Sequence, residues 1–248
     1  MASIIQDRIY THPWDTPGFI TMAKHNFLQK TAIFLLGTLC DQLWGFRPNL
    51  IPPFVAQKGW LGALLWFARN MPRYERIRDR WGPIRTHLLA TEISLLNGCT
   101  YCANGHAYAL QLHYLRQTEW LFPLSESEIL ALQSLPEAAQ IDRLEAALAE
   151  AGLSSAILDL RRLVELYEQP ALAVTDKDRD MLQLIRMFAD LNDCGRRYNL
   201  QIDQAHDPIN KRREWRDRYA ALRRAEPAQP VVVPEPAITV LNPSDLYL

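Results

Sequence analysis

Glycine is scarce in this chain, ten in 248 residues, and no alternating apolar–polar run recurs. Both absences argue against a strand-rich fold and favour helix. Cysteine is also sparse: four in a chain this long do not make a disulfide scaffold. Neither sign of charge dominates. The formal net charge is −1, so nothing overall draws the chain to nucleic acid or to an anionic membrane. Long apolar runs are missing too. The longest early one, Ala32 to Cys40, is interrupted by Gly37 and Thr38 and is too short to span a bilayer. The first residues show no basic region followed by an apolar stretch, so no secretion signal is read and a reducing cytosol is the expected compartment. There is no glycine-rich phosphate loop and no internal repeat, which leaves nucleotide binding without support. What is present is ordinary for a soluble globular protein, 48% hydrophobic and 22% charged residues, with enough length for a real core.

One stretch carries chemistry: Asn97-Gly98-Cys99-Thr100-Tyr101-Cys102-Ala103-Asn104-Gly105-His106. Apolar helical patterns lead into it through Leu88, Leu89, Leu95 and Leu96 and out through Ala107, Ala109, Leu110 and Leu112. Asn97-Gly98 is a helix stop, which puts Cys99 at the start of the next helix. Unpaired N–H groups there favour a thiolate, the nucleophilic form. Cys102 and His106 are four apart and share a face. A redox dithiol with a local proton carrier is the leading reading. Zinc is a second, but Cys99, Cys102 and His106 supply only three of four ligands, and nothing in the spacing nominates Cys194 or His113 as the fourth. Inert core cysteines are a third. Cys40 and Cys194 read as small buried hydrophobes, with Cys194 also open to a role as redox partner or ligand.

The segment Leu95–His106 resembles the signature of the alkyl hydroperoxidase D-like group within the carboxymuconolactone decarboxylase family. The flanks at 64–72 and 188–193 resemble its neighbouring helices, and the likeness covers roughly residues 45–205. The resemblance implies an all-α helical bundle with the Cys-x-x-Cys at the N-terminus of a central helix, and a homo-oligomer. It implies reduction of hydroperoxides through a Cys99/Cys102 cycle that needs no flavin, haem or metal, fed by a thiol or dithiol electron donor. It also implies that the second cysteine attacks and the first resolves. Two relay positions depart from the pattern. The glutamate twelve residues before the first cysteine is His87 here, and the histidine before the second is Tyr101. Either His87 or Glu92 takes over as base, or peroxidase activity is weak or absent. His87 and Glu92 are five apart and face apart, so only one of them can serve. Glu92 sits on an apolar face, where burial raises a carboxyl pKa, unless it is an edge residue reaching water. Two other functions stay open: a disulfide reductase or relay without peroxidase activity, and a catalytically inert helical assembly protein.

Along the rest of the chain roughly eight to ten helices are expected. Residues 1–44 read as a turn-rich lead followed by a helix over 19–43, with Phe27, Thr31, Phe34 and Thr38 as its stripe. Pro48, Pro52 and Pro53 mark a loop. A short helix from Gly59 to Arg69 closes at Pro72, and the charge run 73–80 reads as a solvated face. Pro83 opens the helix to Leu96. His113 reads as a core or interface histidine. Ser125–Glu128 and Thr175–Asp178 are capping boxes. The second starts a helix with a stripe of Met181, Leu184, Ile185, Phe188 and Leu191. Residues 206–248 form a basic helix and a proline-rich C-terminal arm, suited to contact with another subunit.

Overall fold

The computed structural model describes residues 26–225, so the lead at 1–18 and the arm from 226 lie outside the described residues. Among the described residues the chain is all α, with ten α-helices joined by turns and short 3-10 segments and no strand. The helices are α1 (Phe27–Trp44), α2 (Ile51–Lys58), α3 (Trp60–Trp81), α4 (Pro83–Leu96), α5 (Thr100–Thr118), α6 (Glu126–Ala131), α7 (Glu137–Glu150), α8 (Ser155–Glu168), α9 (Asp176–Arg197) and α10 (Arg213–Ala225).

The antiparallel pair α4–α5 is the centre, with α9 packed across both. Every residue of α4 from Thr86 to Leu95 is buried, as expected of a helix covered on all sides. One core lies between α1, α2, α3, α4 and α9, around Phe54, Ile93 and Phe188. A second lies between α4, α5 and the helices from α6 to α8, around Leu110, Phe122 and Leu148. A third, smaller one joins α5 to α10 through Leu112, Leu115 and Tyr219. Each such leucine or phenylalanine contributes about 1.5–3 kcal/mol by leaving water.

The local signals act where they stand. Gly98 takes φ +68° and turns the chain between α4 and α5. Pro83 occupies the first turn of α4, where its missing N–H costs nothing. Ser125 and Thr175 each close a reciprocal capping box.

Four expectations need correction. In α1 the buried stripe is Ala32, Leu36 and Cys40, while Phe27 and Phe34 are 80% and 58% exposed. Phe27 and Phe34 share their side of the helix with Lys30, Asp41 and Gln42, and the opposite side, with Ala32, Gly37 and Cys40, packs on α2 and α3. Pro52 and Pro53 do not make a loop; they sit in the first turn of α2. Pro72 does not end α3, because Pro72 and Ala68 both face solvent, where the carbonyl freed by the missing N–H is met by water. The charge run therefore continues the helix, and it is not wholly solvated: Tyr74 and Ile77 are buried and Arg78 reaches Asp207. Cys194 lies within α9, one turn from its end.

Candidate functional site

Cys99 is the N-cap of α5, with extended backbone, and its Sγ accepts the Cys102 backbone N–H at 3.4 Å. A sulfur in place of a hydroxyl at an N-cap is a stabilised thiolate position. Both thiols are free and buried. A hydrogen bond from the Cys102 thiol, helped by the helix N–H groups and Arg196, outweighs burial and draws Cys99 down from its ordinary value of 9.0. Burial, with Cys99 as neighbour, pushes Cys102 well above it. The pair thus loses its first proton from Cys99, and the second stays on Cys102. Burial also lifts the Cys40 and Cys194 thiols to about 12, which suits packing. Cys194 nonetheless lies near enough to act electrostatically on both thiols of the pair.

Two glycines make this packing possible. A Cβ at Gly195 of α9 would stand 2.6 Å from the Cys99 Sγ. A Cβ at Gly105 would stand 2.4 Å from a ring atom of His206. Bare backbone lets α9 close on the dithiol and lets the loop after α9 close on α5.

Cys102, but not Cys99, lines a small apolar cavity whose walls include His106, Tyr101, Trp44, Phe188 and His206. Behind it runs a chain of imidazoles. His106 Nδ1 is 3.0 Å from His87 Nδ1, His87 Nε2 is 3.0 Å from one oxygen of Asp207, and His113 Nε2 is 2.8 Å from the other. Arg78 and the Ile209 backbone N–H also donate to Asp207. Burial raises the Asp207 carboxyl, but hydrogen bonds from His113 and His87 outweigh it and hold the group well below the usual carboxylate range. Burial lowers His87, only partly opposed by Asp207. His106 is lowered further, by burial and then by its histidine neighbours.

These directions fix the tautomers. An ionised Asp207 only accepts, so His87 Nε2 carries its proton. A neutral His87 then has a bare Nδ1, which must accept from His106 Nδ1–H. His106 is left with Nε2 as its free base nitrogen.

A second constellation borders the cavity. Tyr101 donates to Asp203 at 2.6 Å, and His206 Nε2 bonds the other oxygen of Asp203 at 2.9 Å. The His206 ring stacks on Trp44 and meets His106 edge to face.

The structure therefore brings together Cys99, Cys102, His106 and His87. Glu92 is elsewhere. It is fully buried, so the edge alternative fails. Neither carboxyl oxygen has a hydrogen-bond partner, and burial, with Glu137 nearby, lifts its pKa to about 7. His113 is buried, as a core histidine, and it bonds the second oxygen of Asp207. Asp203, His206 and Asp207 are functional candidates that the sequence reading passed over. The signal available was a loop with Asp203, His206 and Asp207 crowded before Pro208. Among the described residues, the metal-capable set that comes together is His87, His113 and Asp207, with ligand atoms within 4.8 Å of one another; Cys99, Cys102 and His106 do not form one. Among the described residues, no helix is long and apolar enough to cross a membrane.

The fold and site together define an all-α bundle with a buried Cys-x-x-Cys at a helix start, backed by a hydrogen-bonded chain of His106, His87 and Asp207. Comparison with protein-family models, with curated proteins and with solved structures finds no match.

Proposed function

We propose that this protein is a thiol-dependent peroxidase of the alkyl hydroperoxidase D-like type. The observation that carries the reading is the shared cavity of Cys102 and His106, with His106 oriented by His87 and Asp207. Cys102 keeps its proton at rest, so His106 Nε2 accepts it only as the sulfur attacks a peroxide oxygen and the O–O bond breaks. Cys102 becomes a sulfenic acid, and the departing alkoxide takes the proton from His106 and leaves as alcohol. Cys99, already the more acidic thiol, attacks the sulfenic sulfur. The S–S bond forms, and the hydroxide released combines with the proton Cys99 had lost, giving water. An external dithiol then reduces the disulfide. The walls of the cavity suit a small organic hydroperoxide better than a protein disulfide, because both cysteines are buried.

In this reading His87 fills the place of the family's glutamate as a neutral link that passes the orienting effect of Asp207 to His106. The protein acts as a homo-oligomer. Support comes from the apolar face left outside by α1 and α3, where Phe27, Phe34, Leu35, Leu61 and Leu65 are at least half exposed.

The test is stoichiometric. Reduced protein treated with an organic hydroperoxide should lose two thiols per peroxide consumed, and a dithiol donor should restore both. Thiols that survive excess peroxide would overturn the reading. Turnover of a test disulfide without peroxide consumption would favour a reductase instead.

A further inference from the structure

A second cavity, open to solvent, is lined by Arg78, Arg116, Arg212, His113 and Asp207, with Pro83, Pro208 and Ile209 as walls. It faces the far side of the relay: Arg78 and His113 both bond Asp207. From the charges we infer that this cavity is a binding site for a small phosphate-type dianion. Three arginines against one aspartate leave two positive charges on the lining. Arg78 is engaged, with Asp207 and with Glu75. Arg116 and Arg212 carry no hydrogen bond or ion pair on their side chains among the described residues, although they come from α5 and from the turn before α10 and meet at one cavity.

Like charges gathered around a concave wall repel one another and focus a positive potential into it, which a dianion relieves. Guanidinium groups also match the oxygens of a phosphate in paired hydrogen bonds. The same charges disfavour a cation. The trio His87, His113 and Asp207 could otherwise be taken for a metal site, but Arg78 already sits on its only carboxylate. The inference does not depend on the dithiol chemistry.

Calorimetric titration of the full chain with inorganic phosphate, and separately with glycerol phosphate, at constant ionic strength tests it. Saturable binding of one anion per chain is expected. The double variant Arg116→Ala/Arg212→Ala should weaken it at least tenfold and keep the parent melting temperature in the absence of phosphate, since both side chains are exposed. Tighter binding of the ester would place an organic phosphate in the cavity, and equal binding would place free phosphate there. Absence of saturable binding of either anion, or undiminished binding by a double variant that melts like the parent, would overturn the site. A double variant that unfolds is replaced by Arg116→Gln alone, which should still weaken binding severalfold; undiminished binding there would overturn the site as well.

Discussion

Replacing Gly195 by Ala tests the packing of α9 on the dithiol. Gly195 lies inside α9, so the helix alone would gain about 0.5–1 kcal/mol from the exchange. The added Cβ, however, would stand 2.6 Å from the Cys99 sulfur and 3.7 Å from that of Cys102. The nearer distance is inside van der Waals contact. Relieving it means moving either Cys99 out of its N-cap position or α9 away from α5, and overpacking of this kind costs about 1–3 kcal/mol. Overpacking wins, with a net loss of about 1–2 kcal/mol and a fall in melting temperature of roughly 2–8 °C for a chain of this size. Gly37 in α1 is the control. A Cβ there meets only Arg47, at 3.5 Å, so Gly37→Ala should keep most of the helix gain and melt at or above the parent. Thermal unfolding of the reduced proteins, with thiol titration by a chromogenic disulfide, reads both effects. Gly195→Ala should also change the rate at which Cys99 reacts. If Gly195→Ala matched Gly37→Ala in stability and left thiol reactivity alone, the close contact between α9 and Cys99 would be wrong.

Glu92→Gln should stabilise the protein increasingly from about pH 4.5 to 7 and by a constant amount above. The folded carboxyl keeps its proton up to about 7, against an ordinary value of 4.5, so parent stability falls across that window by on the order of 3 kcal/mol. Urea midpoints at several pH values would show this, and a pH-independent difference would count against a buried, unpaired Glu92. His87→Phe keeps a ring but removes the nitrogen that accepts from His106. Peroxide reduction should slow by about tenfold to a hundredfold with a changed pH profile, and an unaltered rate and profile would remove His87 from the relay. The mass by light scattering should be a multiple of the 28.6 kDa chain at micromolar concentration, and Phe34→Glu/Leu65→Glu should lower it; a monomer mass for the parent would refute the assembly.

What was legible in the sequence was local. The stop at Gly98, Pro83 in the first turn of α4 and the capping boxes at Ser125 and Thr175 each depend on residues within a few positions, and each is where the pattern puts it. Cys99 stands at the helix start that the pattern gives it, but its lowered pKa owes first to the hydrogen bond from the Cys102 thiol and only then to the helix N–H groups. The rest of the site was not legible, because it is made by distant parts of the chain. Asp207 lies 120 residues from His87 and 94 from His113, and only packing of the loop after α9 onto α5 brings them together. Gly105 and Gly195 lie inside helices, and the use of their bare backbone shows only when the neighbour that needs it is in place. The orientation of α1 was missed for a different reason. Phe27 and Phe34 drew the stripe to the wrong side, although Lys30, Thr38, Asp41 and Gln42 lie together on that side, opposite Ala32, Leu36 and Cys40.

In the proposed mechanism Cys102 is the sulfur that meets peroxide in the cavity it shares with His106. Cys99→Ser protein, treated with one equivalent of an organic hydroperoxide in the presence of a sulfenic-acid trap and mapped by mass spectrometry, addresses it directly. The expected result is a single adduct on Cys102. Absence of an adduct there, together with an adduct on Cys99 in the Cys102→Ser protein, would contradict it.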